Sequence, residues 1–146
     1  MRSLILLLLF SISFSVCKAQ GDEVPVAVMD AFGQQYRLAE GAVFKDDLLQ
    51  ITVQFKLEGE QMKAFYTRKG QWKHTEKEWT FEKLPAAVQD GFRKSKYADQ
   101  EIEDTKVVYR AGGTERYRVK VKKNSLQKKY LYFNEEGRLL EESLTL

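Results

Sequence analysis

Val24-Pro25-Val26-Ala27-Val28-Met29-Asp30-Ala31-Phe32 lies over Leu84-Pro85-Ala86-Ala87-Val88-Gln89-Asp90-Gly91-Phe92 at an offset of sixty, with five of nine positions identical. These stretches hold both prolines of the 146-residue chain. A second match, at an offset of sixty-seven, sets Ala64-Phe65-Tyr66-Thr67-Arg68-Lys69-Gly70-Gln71-Trp72 against Leu131-Tyr132-Phe133-Asn134-Glu135-Glu136-Gly137-Arg138-Leu139. Two matches in the same order read as an internal duplication with a seven-residue difference in length.

Each copy opens with a helix signal. Proline at the first helical position loses nothing, because its absent N–H would have no partner there. Val28, Phe32 and Tyr36 recur at four-residue spacing, as do Leu84, Val88 and Phe92, so each helix carries one apolar stripe. The rest of each copy alternates with a period of two. Ile51, Val53, Phe55 and Leu57 point one way and Thr52, Gln54 and Lys56 the other; Tyr117, Val119 and Val121 alternate with Arg116, Arg118, Lys120 and Lys122. Turn signals at Asp46-Asp47, Glu58-Gly59, Lys69-Gly70, Gly112-Gly113, Asn124-Ser125 and Glu136-Gly137 divide this into roughly four strands after each helix.

The expected fold is therefore α+β: tandem α-β4 units in residues 20–82 and 83–146, forming one domain with both helices on one face of an antiparallel sheet. Whether the strands make one sheet or two half-sheets stays open. Trp79 and Phe81, just before the second helix, are expected to seal the junction between copies.

The repeated Leu/Val-Pro-x-Ala-Val opening, the aromatic residue closing each helix and the aromatic-x-x-x-x-Gly-x-Trp/Leu hairpin resemble the bacterial PepSY-like, β-lactamase-inhibitor-protein-like exported proteins over nearly all of residues 24–143. The resemblance implies a tandem α-β4 fold and a non-catalytic role in the cell envelope. It brings no catalytic residues.

Residues 1–19 read as an export signal: Arg2, an apolar run from Leu4 to Val16, and Cys17-Lys18-Ala19 before a cleavage site. The run is shorter than the roughly 20 residues of a membrane-spanning helix. Val16 and Phe14 are the wrong residues for a lipoprotein signal at Cys17. Cleavage after Ala19 removes two basic residues, lowering the formal charge from +3 to +1, and the only cysteine. A disulfide, a thiol nucleophile and a thiolate metal site are thereby excluded from the mature chain. The expected location is periplasmic or extracellular, with no stable membrane insertion.

Little catalytic chemistry remains. His74 is the single histidine and has no second histidine or cysteine to complete a metal set, so it is expected to be an exposed strand residue near a sheet edge. Ser95, Ser125 and Ser143 are the only serines after residue 19, and none lies in Gly-x-Ser-x-Gly. The acidic cluster Asp99, Glu101, Glu103 and Asp104 lacks the glycine and spacing of a calcium loop and reads as a solvated strand entry. No cofactor and no catalytic residue is assigned.

The alternation itself marks the candidate site. If Val119 and Val121 face the helices, Arg116, Arg118 and Lys120 face outward, and by the same parity Tyr130, Tyr132, Phe65 and Lys56 join them. Aromatic rings interleaved with cations suit a protein or peptide partner, since aromatic and arginine side chains dominate interface energies. The expected function is an exported, monomeric or weakly self-associating module that binds an envelope protein or peptide, with inhibition of an envelope hydrolase suggested by the resemblance. Nucleic acid is excluded as a partner by export and near-neutral charge. A small-ligand carrier with a cavity under Phe32 and Phe92, or a glycan-active enzyme using paired carboxylates, are the alternatives.

Overall fold

The computed structural model describes residues 23–144; the expected export signal, the expected cleavage site and Cys17 lie outside them. Helix α1 (Val26–Gln35) leads into strands β1 (Glu40–Asp46), β2 (Ile51–Leu57), β3 (Glu60–Tyr66) and β4 (Trp72–Trp79). A 3₁₀ turn (Phe81–Lys83) and helix α2 (Ala86–Arg93) precede β5 (Glu101–Arg110), β6 (Thr114–Asn124), β7 (Gln127–Phe133) and β8 (Leu139–Leu144). The strands form one antiparallel meander in the order β1 to β8. The open alternative is thus decided for a continuous sheet, joined at its middle by β4 and β5 from Trp79↔Thr105 to His74↔Arg110.

Both prolines sit one position earlier than the repeat suggests, as helix caps. Their carbonyls accept the first helical bonds, Pro25 from Val28 N at 2.9 Å and Pro85 from Val88 N at 2.9 Å. The missing proline N–H costs nothing at this position either, and the extended proline backbone sets where the helix begins.

Two apolar clusters lie beneath the helices. Val28 and Phe32 pack on Ile51, Val53, Phe55, Ala64 and Tyr66. Leu84, Val88 and Phe92 pack on Val107, Tyr117, Val119, Val121, Leu131 and Phe133. All these strand residues share one face by register, so both helices cover the same side of the sheet. Phe32 meets Phe44 and Phe55 edge-on, and Phe92 meets Phe81 at 5.3 Å. Aromatic contacts therefore fill the space beneath these two helix residues. Trp79 proves to be the last residue of β4, and it packs with Phe81 against the second cluster.

Each helix is pinned by a hairpin glycine. Gly70, at φ +82°, lies so close to α1 that a Cβ would fall 2.5 Å from the Ala27 carbonyl oxygen. Gly137, at φ +78°, would place a Cβ 2.0 Å from the Ala87 carbonyl oxygen. Only glycine permits both the left-handed turn and that approach. At the outer edge, the β1–β2 ladder shifts register between Glu40 and Val43, with Gly41 at φ +62°.

Gly112 (φ +81°) has a similar backbone but open space around it, which separates the two costs. Gly112→Ala should lose about 1 kcal/mol from the left-handed backbone alone. Gly137→Ala should lose clearly more, because the helix must also retreat. Urea unfolding of both variants measures the difference, and equal losses would refute the docking role of Gly137.

Candidate functional site: the open face of the sheet

Residues directly opposite each other on neighbouring strands share a face, so the ladders place the outward side chains in rows. Phe65, His74 and Arg110 form one row. Lys63, Glu76, Val108 and Arg116 form the next. Glu78, Lys106, Arg118, Tyr132 and Glu141 form a third, and Asp104, Lys120, Tyr130 and Ser143 a fourth. Lys56 lies on the same face, opposite Gln61. Every candidate site residue thus projects away from the helices.

Facing outward is not the same as being free. Arg118 is only 8% exposed and Glu76 only 7%. The guanidinium donates from Nη1 to Glu76 Oε1 at 2.6 Å and from Nη2 to Asp104 Oδ2 at 3.4 Å. Its cationic carbon sits 4.6 Å from the centre of the Tyr130 ring. Arg118 is therefore committed within the protein, and its expected role of attracting acidic groups is not available to it. Arg116 pairs with Glu141 at 3.3 Å and Lys120 with Glu103 at 3.2 Å. The dense acidic cluster has the same use: Glu101, Glu103 and Asp104 take partners from β6 and β7 and are not simply solvated.

Three cations on this face form no ion pair among the described residues: Lys56, Lys63 and Arg110. The last two lean on rings, Lys63 at 5.5 Å from Phe65 and Arg110 at 5.8 Å from Tyr132. His74 lies on β4, in the middle of the sheet, and not near an edge. Its ring stacks on Phe65 with centroids 4.3 Å apart and planes 14° from parallel. Sequence reasoning missed this pair, Glu76 and Arg110. The reason is that β4 carries polar residues on both faces, so its parity cannot be read without knowing that β5 lies beside it.

Electrostatically the face is anchored by one carboxylate. Burial by itself pushes the Glu76 pKa up. His74 at 3.7 Å, Arg118 at 2.6 Å and Lys106 at 3.2 Å outweigh that and hold it at about 2. Glu76 is consequently a fixed anion, the wrong protonation state for a general acid at neutral pH. Among the described residues, no group of three or more histidine, cysteine or carboxylate side chains is placed to hold a metal ion.

The family model described as "Putative beta-lactamase-inhibitor-like, PepSY-like" matches residues 49–141. The chain belongs to that family. Three solved structures share the fold of this PepSY-like chain. A BLIP-like protein from Bacteroides fragilis is 24% identical, with TM-score 0.75 over 86% of this chain and 89% of its own. A DUF2874 family protein from Bacteroides ovatus is 23% identical, with TM-score 0.74 over 85% and 89%. A protein from Bacteroides eggerthii described as one of the "putative periplasmic proteins" is 22% identical, with TM-score 0.71 over 84% and 89%. No curated protein matches the sequence significantly.

The depressed pKa of Glu76 makes stability pH-dependent with a definite sign. Its contribution is complete above the ordinary glutamate value of 4.5 and is lost as the pH falls toward about 2. Acid titration of unfolding free energy should therefore show a decline in this window, on the order of 3 kcal/mol, that shrinks in Glu76→Gln. Arg118→Met should destabilise at neutral pH by about 3 kcal/mol, because it strips the main partner from a buried carboxylate. Adding Glu76→Gln to Arg118→Met should recover part of that loss; strict additivity of the two changes would show that they do not interact.

Proposed function

We propose that this PepSY-like protein is a non-catalytic module of the cell envelope that holds a protein or peptide partner against its open sheet face. The observation that carries the proposal is the layering of that face. Tyr130 rests on the committed Arg118 and Lys120, Tyr132 on Arg110 and Phe65 on His74 and Lys63, and Lys56, Lys63 and Arg110 face outward without carboxylate partners among the described residues. Rings immobilised before binding lose little entropy on contact, and unpaired cations favour acidic groups on the partner. Arg118, Arg116 and Lys120 serve this surface from beneath, Arg118 and Lys120 by fixing Tyr130 and all three by neutralising Glu76, Asp104, Glu103 and Glu141.

Export supports the envelope setting, through the signal-like residues 1–19 and the periplasmic description of the B. eggerthii neighbour. The family's inhibitor-like description makes an envelope hydrolase the leading partner class. The two α-β4 units, with Gly70 on Ala27 and Gly137 on Ala87 in matching places, are best understood as copies of one ancestral unit. The protein acts alone or in weak self-association, without cofactor.

A photo-reactive group at position 132 should cross-link to an envelope protein, whereas one at the exposed Met29 on α1 should not. Tyr130→Ala with Tyr132→Ala should weaken that capture by about tenfold or more while leaving the thermal midpoint within a few degrees, as expected for partly exposed interface anchors. Unfolding of the double variant, or equal cross-linking from both faces, would count against the open face as the site.

A further inference from the structure

At one end of the sheet, a cleft of about 420 Å³ opens where the loop after α2 meets the β6–β7 hairpin, with Lys129 opposite Val121 on the helix-bearing side and Lys128 opposite Lys122 on the open side. Lys96, Lys123, Lys128 and Lys129 line it together with Gln100 and Gln127, and no carboxylate is among its lining residues. Two carboxylates stand behind these lysines. Glu142 takes Lys96 at 3.1 Å and Lys129 at 3.5 Å, and Glu103 takes Lys128 at 2.7 Å while also serving Lys120 and Lys122. Positive charge is left over at the cleft.

The cleft is also preorganised. Lys129 Nζ donates to the Tyr97 hydroxyl at 3.1 Å, and that hydroxyl donates to Glu142. Lys96 and Lys129 lie 5.1 and 5.3 Å from the Tyr97 ring, so both ammonium groups are fixed by one side chain. Beside the cleft, the hairpin tip presents Leu126 at 94% exposure. The tip is rigid, because the Asn124 side chain accepts from Leu126 N at 3.1 Å and Gln127 N at 2.9 Å. Leu144, 71% exposed, completes the rim.

Lysines that outnumber their carboxylates, a neutral amide lining and a leucine held in water next to them form a consistent set. We propose that this end of the protein docks on an anionic phospholipid surface, with the headgroup phosphate in the lysine cleft and Leu126 in the interface above the acyl chains. Cations near an anionic bilayer gain energy from its surface potential, and one apolar anchor adds to them without spanning anything. Lys128 lies at the hairpin end of the open side, whereas Phe65, Arg110 and Tyr132 lie farther along the sheet, so docking here leaves those residues accessible to a partner.

The test uses the chain from Gln20, which carries every described helix and strand, and vesicles of phosphatidylcholine with or without phosphatidylglycerol. Co-sedimentation is expected only with phosphatidylglycerol present, and it should fade as salt is raised. Lys123→Gln and Lys128→Gln should each weaken it by roughly fivefold, and Leu126→Ser should weaken it further. Lys73→Gln makes the same charge change at the opposite end of the sheet and should leave it nearly intact. Lys123 carries no ion pair in the described residues, so its replacement does not threaten the fold. Equal binding to both vesicle types, or an equal loss from Lys73→Gln, would overturn the proposal. Binding of free glycerol phosphate with no vesicle binding would overturn the lipid assignment. Tyr132→Ala should not change vesicle binding, so failure here and failure of the open-face reading are told apart.

Discussion

The pairing of Glu76 with Arg118 bears on more of this molecule than any other contact. The apolar interior is divided into two clusters, one under each helix, and between them the sheet is held by the β4–β5 ladder. On the side away from the helices, Glu76 on β4 reaches past β5 to Arg118 on β6 and draws in Lys106 on the way. A buried ion pair gains little net energy against an apolar alternative, but it penalises any arrangement that separates its members. Here it makes the register between the two halves costly to change. It also supplies the base on which Tyr130 lies.

Most of the architecture was legible in the sequence because β2, β6 and β7 each carry an apolar run on one side, interrupted only toward the strand ends by Glu115 and Lys129. Val53, Val119 and Leu131 leave no choice of face, and everything interleaved with them must point outward. The same rule could not say which outward residues are free. Arg116, Arg118 and Lys120 look alike in sequence, yet one is 8% exposed and paired on two sides. That distinction depends on Glu76 and Asp104, which come from strands whose adjacency no local pattern encodes. His74 was misplaced for a related reason. Its strand is polar on both sides, which reads as an edge, whereas β4 lies in mid-sheet with its polarity satisfied by cross-strand ions.

The glycines show how a short motif can carry tertiary information. Gly70 and Gly137 first appear as turn residues, and the left-handed backbone explains them at that level. Their second role, admitting the carbonyls of Ala27 and Ala87, links the last hairpin of each unit to the start of its own helix. The small residue after each Pro-x and the glycine some forty to fifty positions later are thus two sides of one contact. A helix so short gains from this clamp, since an isolated segment of its length would not hold its shape in water.

An open meander leaves its first and last strands with unpaired backbone groups, a template on which further chains could stack without limit. The register shift and the left-handed Gly41 bend the start of β1, so the outer rim is not a straight line of donors and acceptors. So irregular a border works against stacking of further copies along that edge and keeps the broad face accessible.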